Sequence, residues 1–438
     1  MSLSMRDRLV AILQRPDIRG MAGVIGVKVV MVVLNFTLIA LAARALETDE
    51  FGYYSILFSA AGLLLITAAA GQELFVIRSW NEFVVRKDMG RIKGLFYFSV
   101  GLCTAASILV SAGFLPWVSW WYGWHTALAV TCFMVLSAVL QVSNHLLRTS
   151  ISVAAGDGIG NVCQVTPAIL YLAWCLVSAH DAHLTELFVF LSIGAFAGIV
   201  VHFVMMRRRV RKLFPAIASA KAVSDRLEWL ARSARMWASN TLEAINQYVD
   251  VLIIGYLMSP TIAGAYFVTV RLANLFAAAA DSINLFATRH FSRLYYQGDR
   301  QELARFLDSV AWITLAFIVL GLLAIAGGGY FALYFINEEY AVYYPELMVL
   351  CCGTAALAVA RPCGSILMLT GYEGQYLRII AASVTLRVIA LFALIPHFGV
   401  MGAVVSTAAS FVVAATMMRR AAKASTGLDA TIVRLMAT

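Results

Sequence analysis

The sequence predicts an all-α integral membrane protein with about twelve transmembrane helices in two six-helix bundles. Two observations on composition point to a membrane: hydrophobic residues make up 61% of the 438-residue chain, and charged residues only 13%. The mean hydropathy of +0.83 lies far above that of soluble globular proteins. A third observation, a sequence pattern that occurs once in each half of the chain, predicts two related bundles.

Long apolar runs define the individual helices. About 20 mostly apolar residues cross the hydrocarbon core of a bilayer as a helix. The first 20 residues carry four arginines but no separate apolar core, so we expect the first span to direct the chain to the membrane. The predicted spans are 21–43, 53–76, 94–116, 125–147, 159–178, 184–206, 236–257, 263–286, 308–333, 345–370, 374–395 and 400–418.

The repeated pattern consists of a polar break followed by Gly-x-Tyr and a new apolar run. It occurs in ARALETDEFGYYSILFSAAGL and in GYLMSPTIAGAYFVTVRLANL, where Gly52 and Tyr54 correspond to Gly264 and Tyr266. Because each bundle has an even number of helices, the two would be related by a pseudo-twofold axis along the membrane normal, with a central cavity. We therefore expect an N-terminal bundle at 1–206, a basic amphipathic linker at 207–235 and a C-terminal bundle at 236–438.

The charges of the short loops predict the orientation. Alternate loops, WVSWWYG, AHDAHL, MSPTI, INEEYAVYYP and PHFG, contain no Lys or Arg. Since Lys and Arg accumulate on the cytoplasmic side, both termini and the linker are expected in the cytoplasm. The net charge of +9 follows from this sidedness and from contact with lipid headgroups, so no nucleic-acid partner is expected. The basic loop residues are Arg78, Arg86, Lys87, Arg91, Lys93, Arg207, Arg208, Arg209, Arg211, Lys212, Arg289, Arg293, Arg300 and Arg305.

Motifs for metal or nucleotide binding are weak. All seven cysteines fall in apolar runs, where they are expected to pack rather than to form disulfides or a zinc site. His180 and His183 flank Asp181 in a short loop, for which a solvated turn is the preferred interpretation. The glycine-rich segment 156–160 lacks a preceding strand and a following Lys-Ser/Thr, so we interpret it as a turn between helices. We expect no cofactor.

Polar residues inside the spans are the candidate functional residues. A charge at the centre of a span costs about 2.5 to 3.5 kcal/mol on insertion scales. Such residues are therefore expected to face a cavity or each other. The candidate substrate-binding residues are Lys28, Arg271, Arg361, Arg387, Asn35, Asn240, Gln247 and Asn274, and the candidate coupling or ion-pair residues are Glu243, Asp250 and Asp281.

Helical spacing groups some of these residues. Asn240, Glu243, Gln247 and Asp250 follow one another at steps of three and four, which places them on one face of a helix. Asp250 lies at about the same predicted depth as Arg271 on the next helix. Two interpretations stay open: a buried Asp250–Arg271 ion pair that joins the helices, or a direct role in substrate binding.

Three segments carry a family resemblance: ARALETDEFGYYS, LIIGYLMSPTIAGAYFVTVRLANL and the closing LTGYEGQYLRIIAASVTLRVIALFALIPHFGVMGAVVSTAAS. They resemble the polysaccharide biosynthesis proteins that include the Wzx-type O-antigen flippases. The resemblance covers essentially the whole chain. It implies the multidrug/oligosaccharidyl-lipid/polysaccharide exporter superfamily, with twelve helices in two lobes around a V-shaped cavity. It also implies movement of an undecaprenyl-diphosphate-linked oligosaccharide across the bacterial cytoplasmic membrane.

The candidate residues agree with such a lipid-linked oligosaccharide. A diphosphate needs cationic partners, and an Arg guanidinium offers a bidentate fork. Membrane lipids, a polysaccharide polymerase and glycosyltransferases are the expected partners. The main alternative is a multidrug or cation antiporter of the same superfamily, in which the buried acids would do the coupling. A membrane-embedded glycosyltransferase or polymerase is less favoured, because every outer loop is short, and we expect no enzymatic activity.

Overall fold

A computed structural model describes residues 16–275 and 300–436, together with the single positions 284, 291, 294 and 295. Every regular element within these residues is helical. The first seven helices are α1 (Pro16–Ala45), α2 (Thr48–Ala68), α3 (Gln72–Val85), α4 (Met89–Tyr122), α5 (Trp124–Ser150), α6 (Ile159–Ser178) and α7 (Leu184–Leu213). A π-helical turn at Ala154–Gly158 leads directly into α6.

Five further helices follow a short 3-10 turn at Pro215–Ala218. They are α8 (Arg226–Leu257), α9 (Pro260–Ala273), α10 (Arg300–Ile336), α11 (Tyr344–Leu369) and α12 (Glu373–Thr426). Ser259 caps α9 by accepting a hydrogen bond from the Ile262 amide. α12 consists of two helices that meet at Gly399, where φ is 57° and ψ is −137°. This break falls in the PHFG loop that the sequence predicts.

The described helices confirm the all-α membrane fold class. Within the described residues, nine helical segments are long and apolar enough to cross a bilayer. α12 contains both of the last two predicted spans, and the predicted span 263–286 extends beyond α9 into residues outside the described ones. The predicted span 53–76 lies inside the candidate membrane segment Thr48–Val85. Within that segment Ala70 (φ 50°) and Gly71 (φ 71°) adopt left-handed conformations, which separate α2 from α3.

The chain divides into two compact units. Unit 1 comprises the residues up to Leu46 together with Ala60–Thr241, and unit 2 comprises Glu47–Ser59 together with the residues from Leu242 onward. The start of α2 thus belongs to unit 2, and α8 contributes to both units. The predicted linker, 207–235, lies in unit 1. The predicted limits of the two membrane bundles stay a prediction, because the two compact units are defined by contacts within the chain and not by where the chain crosses the membrane.

Within unit 1, the linker region is held by specific contacts to α3 and α4. Trp229 is 2% exposed and stacks on Phe83. Asp225 forms an ion pair of 2.9 Å with Arg91, and the amide of Val223 donates to the carbonyl of Gly90 at 3.0 Å. A buried indole, an ion pair and a backbone hydrogen bond therefore anchor the predicted linker to unit 1.

Within unit 2, the two copies of the repeated motif contact each other. A Cβ atom added to Gly52 would lie 2.2 Å from the carbonyl carbon of Pro260, and one added to Gly264 would lie 3.3 Å from the Cα of Gly52. Thr261, at the position equivalent to Asp49, donates a hydrogen bond to the Asp49 carboxylate. Both Gly residues are therefore needed for close backbone approach, and equivalent positions of the repeat meet in pairs.

Candidate functional site

A cavity of about 440 Å³ lies within unit 2, lined by α8, α9, α11 and α12. Glu243 and Gln247 line it from α8, and Asn274 follows α9 directly. Seven of the residues predicted from the sequence line this cavity: Arg271, Arg361, Arg387, Gln247, Asn274, Glu243 and Asp250.

Arg387 is fully engaged in the cavity wall. Its side chain is 1% exposed. The guanidinium donates to the side-chain oxygen of Asn246 at 2.6 Å and to the Asn246 carbonyl at 2.8 Å. It also donates to Ser410 Oγ at 2.9 Å and lies 4.5 Å from the centre of the Phe411 ring. Since its donors point at groups of the protein, Arg387 organises the wall.

Asp250 is the acidic partner of this arginine. Its Oδ1 lies 3.5 Å from a terminal nitrogen of Arg387. Its Oδ2 accepts hydrogen bonds from Thr407 Oγ1 at 2.8 Å and from the Tyr266 hydroxyl at 3.2 Å. The sequence-based pairing of Asp250 with Arg271 is wrong. The predicted depths of Asp250 and Arg271 in the membrane gave no information about α12, which places Arg387 beside Asp250.

Arg271 is held differently, by aromatic rings. Its guanidinium carbon lies 4.9 Å from the centre of the Phe267 ring and 5.7 Å from that of Tyr248. In the described part of the chain it forms no ion pair with a carboxylate. Cation–π contact attracts the positive charge to the faces of the rings. Arg271 therefore brings a cation held by aromatic rings to the lining of the cavity.

Arg361 contributes the third cation, from α11. It lines the cavity immediately before Pro362, which lies inside the helix. One turn further, Ser365 exchanges hydrogen bonds with Asn284 at 3.0 and 3.2 Å. Since proline lacks an amide hydrogen, the helix loses one backbone hydrogen bond near Arg361.

Sequence reasoning missed several polar residues of the lining. Asn246 precedes the predicted residue Gln247. Its amide side chain inside an apolar run is a signal that could have identified it. Hydroxyl groups are common in membrane helices and bond to their own backbone, so they gave no comparable signal. The missed residues are Asn246, Asn284, Thr354, Ser365, Tyr376 and Thr407.

Three predicted site residues lie in unit 1. Lys28 is half-buried on α1. Asn35 donates to Asn161 at 3.2 Å, and Asn240 donates to the carboxylate of Glu73 at 2.6 Å. Asp281 lies outside the described residues. A role of these four residues in substrate binding or coupling stays a prediction. Among the described residues, no group of three or more His, Cys, Asp and Glu side chains is placed to hold a metal.

These helices define the class of protein: a multi-pass α-helical membrane protein. The fold is similar to an inward-facing multidrug resistance MATE family transporter of the MOP superfamily, with a TM-score of 0.75 at 11% identity over 93% of this chain and 96% of that chain. It is also similar to the lipid II flippase MurJ in an inward closed conformation, with a TM-score of 0.64 at 11% identity over 90% and 87%. A MOP superfamily transporter from Pyrococcus furiosus gives 0.59 at 12% identity over 90% and 95%.

The sequence identifies the family within that class. Residues 41–327 match the family described as polysaccharide biosynthesis protein, and the chain belongs to this family. No curated protein matches the sequence. The resemblance stated from the residues alone is confirmed.

Proposed function

We propose that this chain is a flippase that moves an undecaprenyl-diphosphate-linked oligosaccharide across the bacterial cytoplasmic membrane. Its cargo would supply assembly of a surface polysaccharide: O-antigen, capsule or exopolysaccharide. The observation that carries the proposal is the cavity of unit 2, where Arg271 and Arg361 line the same space as several amide side chains. Membership of the polysaccharide biosynthesis family supports it.

The charge of the lining favours an anionic group. Three arginines and two carboxylates line the cavity, which leaves one positive charge in excess. Arg387 and Asp250 offset each other, so Arg271, Arg361 and Glu243 are the remaining charged residues of the lining. Arg271 lies beside the Phe267 ring, and a planar guanidinium suits bidentate hydrogen bonding to phosphate oxygens.

The polar lining suits a sugar. Gln247, Asn274 and Asn284 offer both donors and acceptors, which sugar hydroxyls require. The cavity volume of about 440 Å³ falls in the range of small-molecule sites. The polyprenyl tail would remain in the lipid, because it is a hydrocarbon chain and needs no polar partner. Movement requires alternating access of the site to the two sides of the membrane and no covalent chemistry, so the protein is proposed not to be an enzyme.

A multidrug or cation antiporter is the alternative function, and the fold shared with MATE transporters is compatible with it. An antiporter needs a buried acid that can exchange protons or cations. Asp250 already accepts hydrogen bonds from Thr407 and Tyr266 and faces Arg387. Because protein groups already bond to both carboxylate oxygens of Asp250, the structure favours the flippase over an antiporter that exchanges protons or cations at Asp250.

The proposed location is the inner membrane, with both termini in the cytoplasm. In this orientation the lipid-linked sugar would be collected where it is synthesised and delivered to a polymerase and glycosyltransferases on the outer side. The positive residues of alternate loops support the orientation.

Cells that lack the protein provide the test. Complementation with the wild type should restore surface polysaccharide, and Arg271→Gln should restore much less at equal protein level. Arg208→Gln, an exposed position on α7, is the matched control and should behave as the wild type. Altered drug sensitivity with normal surface polysaccharide would instead support the antiporter.

A further inference from the structure

A buried histidine in unit 1 lies outside the proposed substrate site. His202, on α7, is 1% exposed. Its ring packs among Ser143 and Asn144 of α5, Gly160 at the start of α6, and the π-helical turn that carries Asp157. We call these residues, with His202, the histidine cluster. Ionisable groups inside a membrane bundle are rare and commonly functional.

The hydrogen bonds of the cluster determine which ring nitrogen carries the proton. Ser143 Oγ lies 2.9 Å from His202 Nδ1 and donates its hydrogen to the carbonyl of Leu140 at 2.8 Å. A hydroxyl has a single hydrogen, so Ser143 can only accept from the histidine. In the neutral ring the hydrogen is therefore on Nδ1, and Nε2 carries a lone pair.

Among residues 16–275 and 300–436, no donor forms a hydrogen bond with the buried Nε2 of His202 or with the buried Oδ1 of Asn144. The side chains of Asn144 and His202 both lie against Gly160: a Cβ atom added to Gly160 would lie 2.2 Å from Asn144 Oδ1 and 3.0 Å from His202 Cε1. Two buried acceptors close together, with no donor, are unfavourable unless something else binds there.

The polar groups around Nε2 are acceptors that a bound proton would satisfy, whereas burial of the ring opposes its charged form. The backbone of Ala155 and Gly156 faces the ring, and Asp157 contributes a negative charge. A hydrogen on Nε2 would turn an unpaired acceptor into a donor toward this acceptor-rich wall. Arg148 of α5, next to the cluster, has its guanidinium 3.5 Å from the Asp157 carboxylate and partly offsets its charge. The close contacts at Gly160 leave little room for a hydrated metal ion.

We propose that His202 Nε2 is a proton-binding site through which a proton gradient drives transport, an inference that rests on the proposed function. Protonation would draw the ring toward the π-helical turn and α6. π-Helical turns interrupt the regular hydrogen-bond ladder and often mark functional sites. The bound proton thus acts on the backbone between α5 and α6, in the unit that does not contain the arginine-lined cavity.

Nuclear magnetic resonance of the full chain, with labelled histidine in lipid nanodiscs, tests the site directly. His202→Gln assigns the His202 signals. We expect a neutral ring with its hydrogen on Nδ1 at the alkaline end of the titration, and a protonated ring at the acid end. Ser143→Ala removes the acceptor for Nδ1 and should shift the neutral ring toward the Nε2–H form. A His202 that stays neutral throughout, or that carries its hydrogen on Nε2 in the wild type, overturns the proposal.

Flipping assays in proteoliposomes test the coupling. A fluorescent undecaprenyl-diphosphate-linked oligosaccharide should be flipped faster by the wild type when a pH gradient is imposed. His202→Gln should bring the ratio of rates with and without the gradient to unity. His145→Gln is the matched control, since His145 lies on α5 with Nδ1 2.9 Å from the Gln141 carbonyl, and it should keep the wild-type ratio.

The two measurements separate the proposals. If the wild type flips no lipid-linked sugar, the proposed function fails, while the histidine spectra still show whether His202 binds a proton. If flipping occurs and His202→Gln keeps the full gradient dependence, the coupling role of His202 is excluded.

Discussion

Asp250 and Arg387 form a buried ion pair, with 3.5 Å between Oδ1 and a terminal guanidinium nitrogen and side-chain exposures of 9% and 1%. The pair joins α8 to the first part of α12. Asn246 and Ser410 complete the hydrogen bonds of the guanidinium. A buried pair satisfied in this way makes Arg387 part of the cavity wall, and Arg271 is the arginine that we propose binds the cargo.

We expect Arg387→Gln to destabilise unit 2. Removing one partner of a buried pair leaves an unpaired charge and typically costs about 3 to 5 kcal/mol. Thermal unfolding in detergent and the yield of folded protein measure the effect. The double variant Arg387→Gln with Asp250→Asn should recover part of the loss. Equal yields for Arg387→Gln and the wild type would contradict a structural role for the pair.

Arg271→Gln should reduce transport without reducing folded protein, because its aromatic contacts contribute only about 0.5 to 2 kcal/mol each. Arg271→Lys should retain part of the activity, since it keeps the charge but loses the bidentate fork. Arg271→Glu should be the most damaging, because it adds repulsion of the diphosphate. Surface polysaccharide per amount of protein is the measurement. A loss of folded protein in Arg271→Gln equal to that in Arg387→Gln would reject this division of roles.

Lys28→Gln and Arg361→Gln extend the same test. We predict that both changes lower surface polysaccharide at unchanged protein level, because each removes one positive charge from the predicted substrate-binding residues. Lys28 lies on α1 and Arg361 on α11. Normal polysaccharide in Lys28→Gln would remove Lys28 from the predicted substrate-binding residues.

Gly52→Ala should destabilise the protein more than Gly264→Ala. The new Cβ of the first would meet the Pro260 backbone at 2.2 Å, which cannot move aside easily, whereas the second would meet the Phe51 ring at 3.0 Å. Gly101→Ala is the matched control within a helix, because nothing lies within 4 Å of its added Cβ. There the higher helix propensity of Ala should be neutral or favourable by up to about 1 kcal/mol. Unfolding temperatures of the three variants decide the matter, and a Gly52→Ala protein as stable as Gly101→Ala would contradict the close approach.

Cysteine labelling tests the orientation. Cysteines introduced at Ser119 and Asn337 should react with a membrane-impermeant reagent from outside intact spheroplasts. A cysteine introduced at Arg208 should react only after permeabilisation. The exposed native Cys132 and Cys352 should be replaced first, to remove their background reaction. Protection of both outer sites in intact cells would reverse the predicted topology.

The sequence by itself determined the class of fold and much of the cavity lining. Run length and hydropathy predict membrane helices, because a bilayer requires internally satisfied backbones. The spacing of Glu243, Gln247 and Asp250 places them on one face of α8, because helical periodicity is local. All three line the cavity. The resemblance to the polysaccharide biosynthesis proteins is likewise carried by residues that can be read directly.

Only the tertiary structure decided which of these residues meet. Asp250 could pair with any cation at its depth, and the choice of Arg387 over Arg271 depends on how α12 packs against α8. The contact of Gly52 with the start of α9, and the enclosure of His202 by α5, the π-helical turn and α6, depend in the same way on distant segments. Periodicity specifies the face of a helix. The identity of the neighbour on that face is set by packing between segments that are far apart in the chain, and this information is absent from any local pattern.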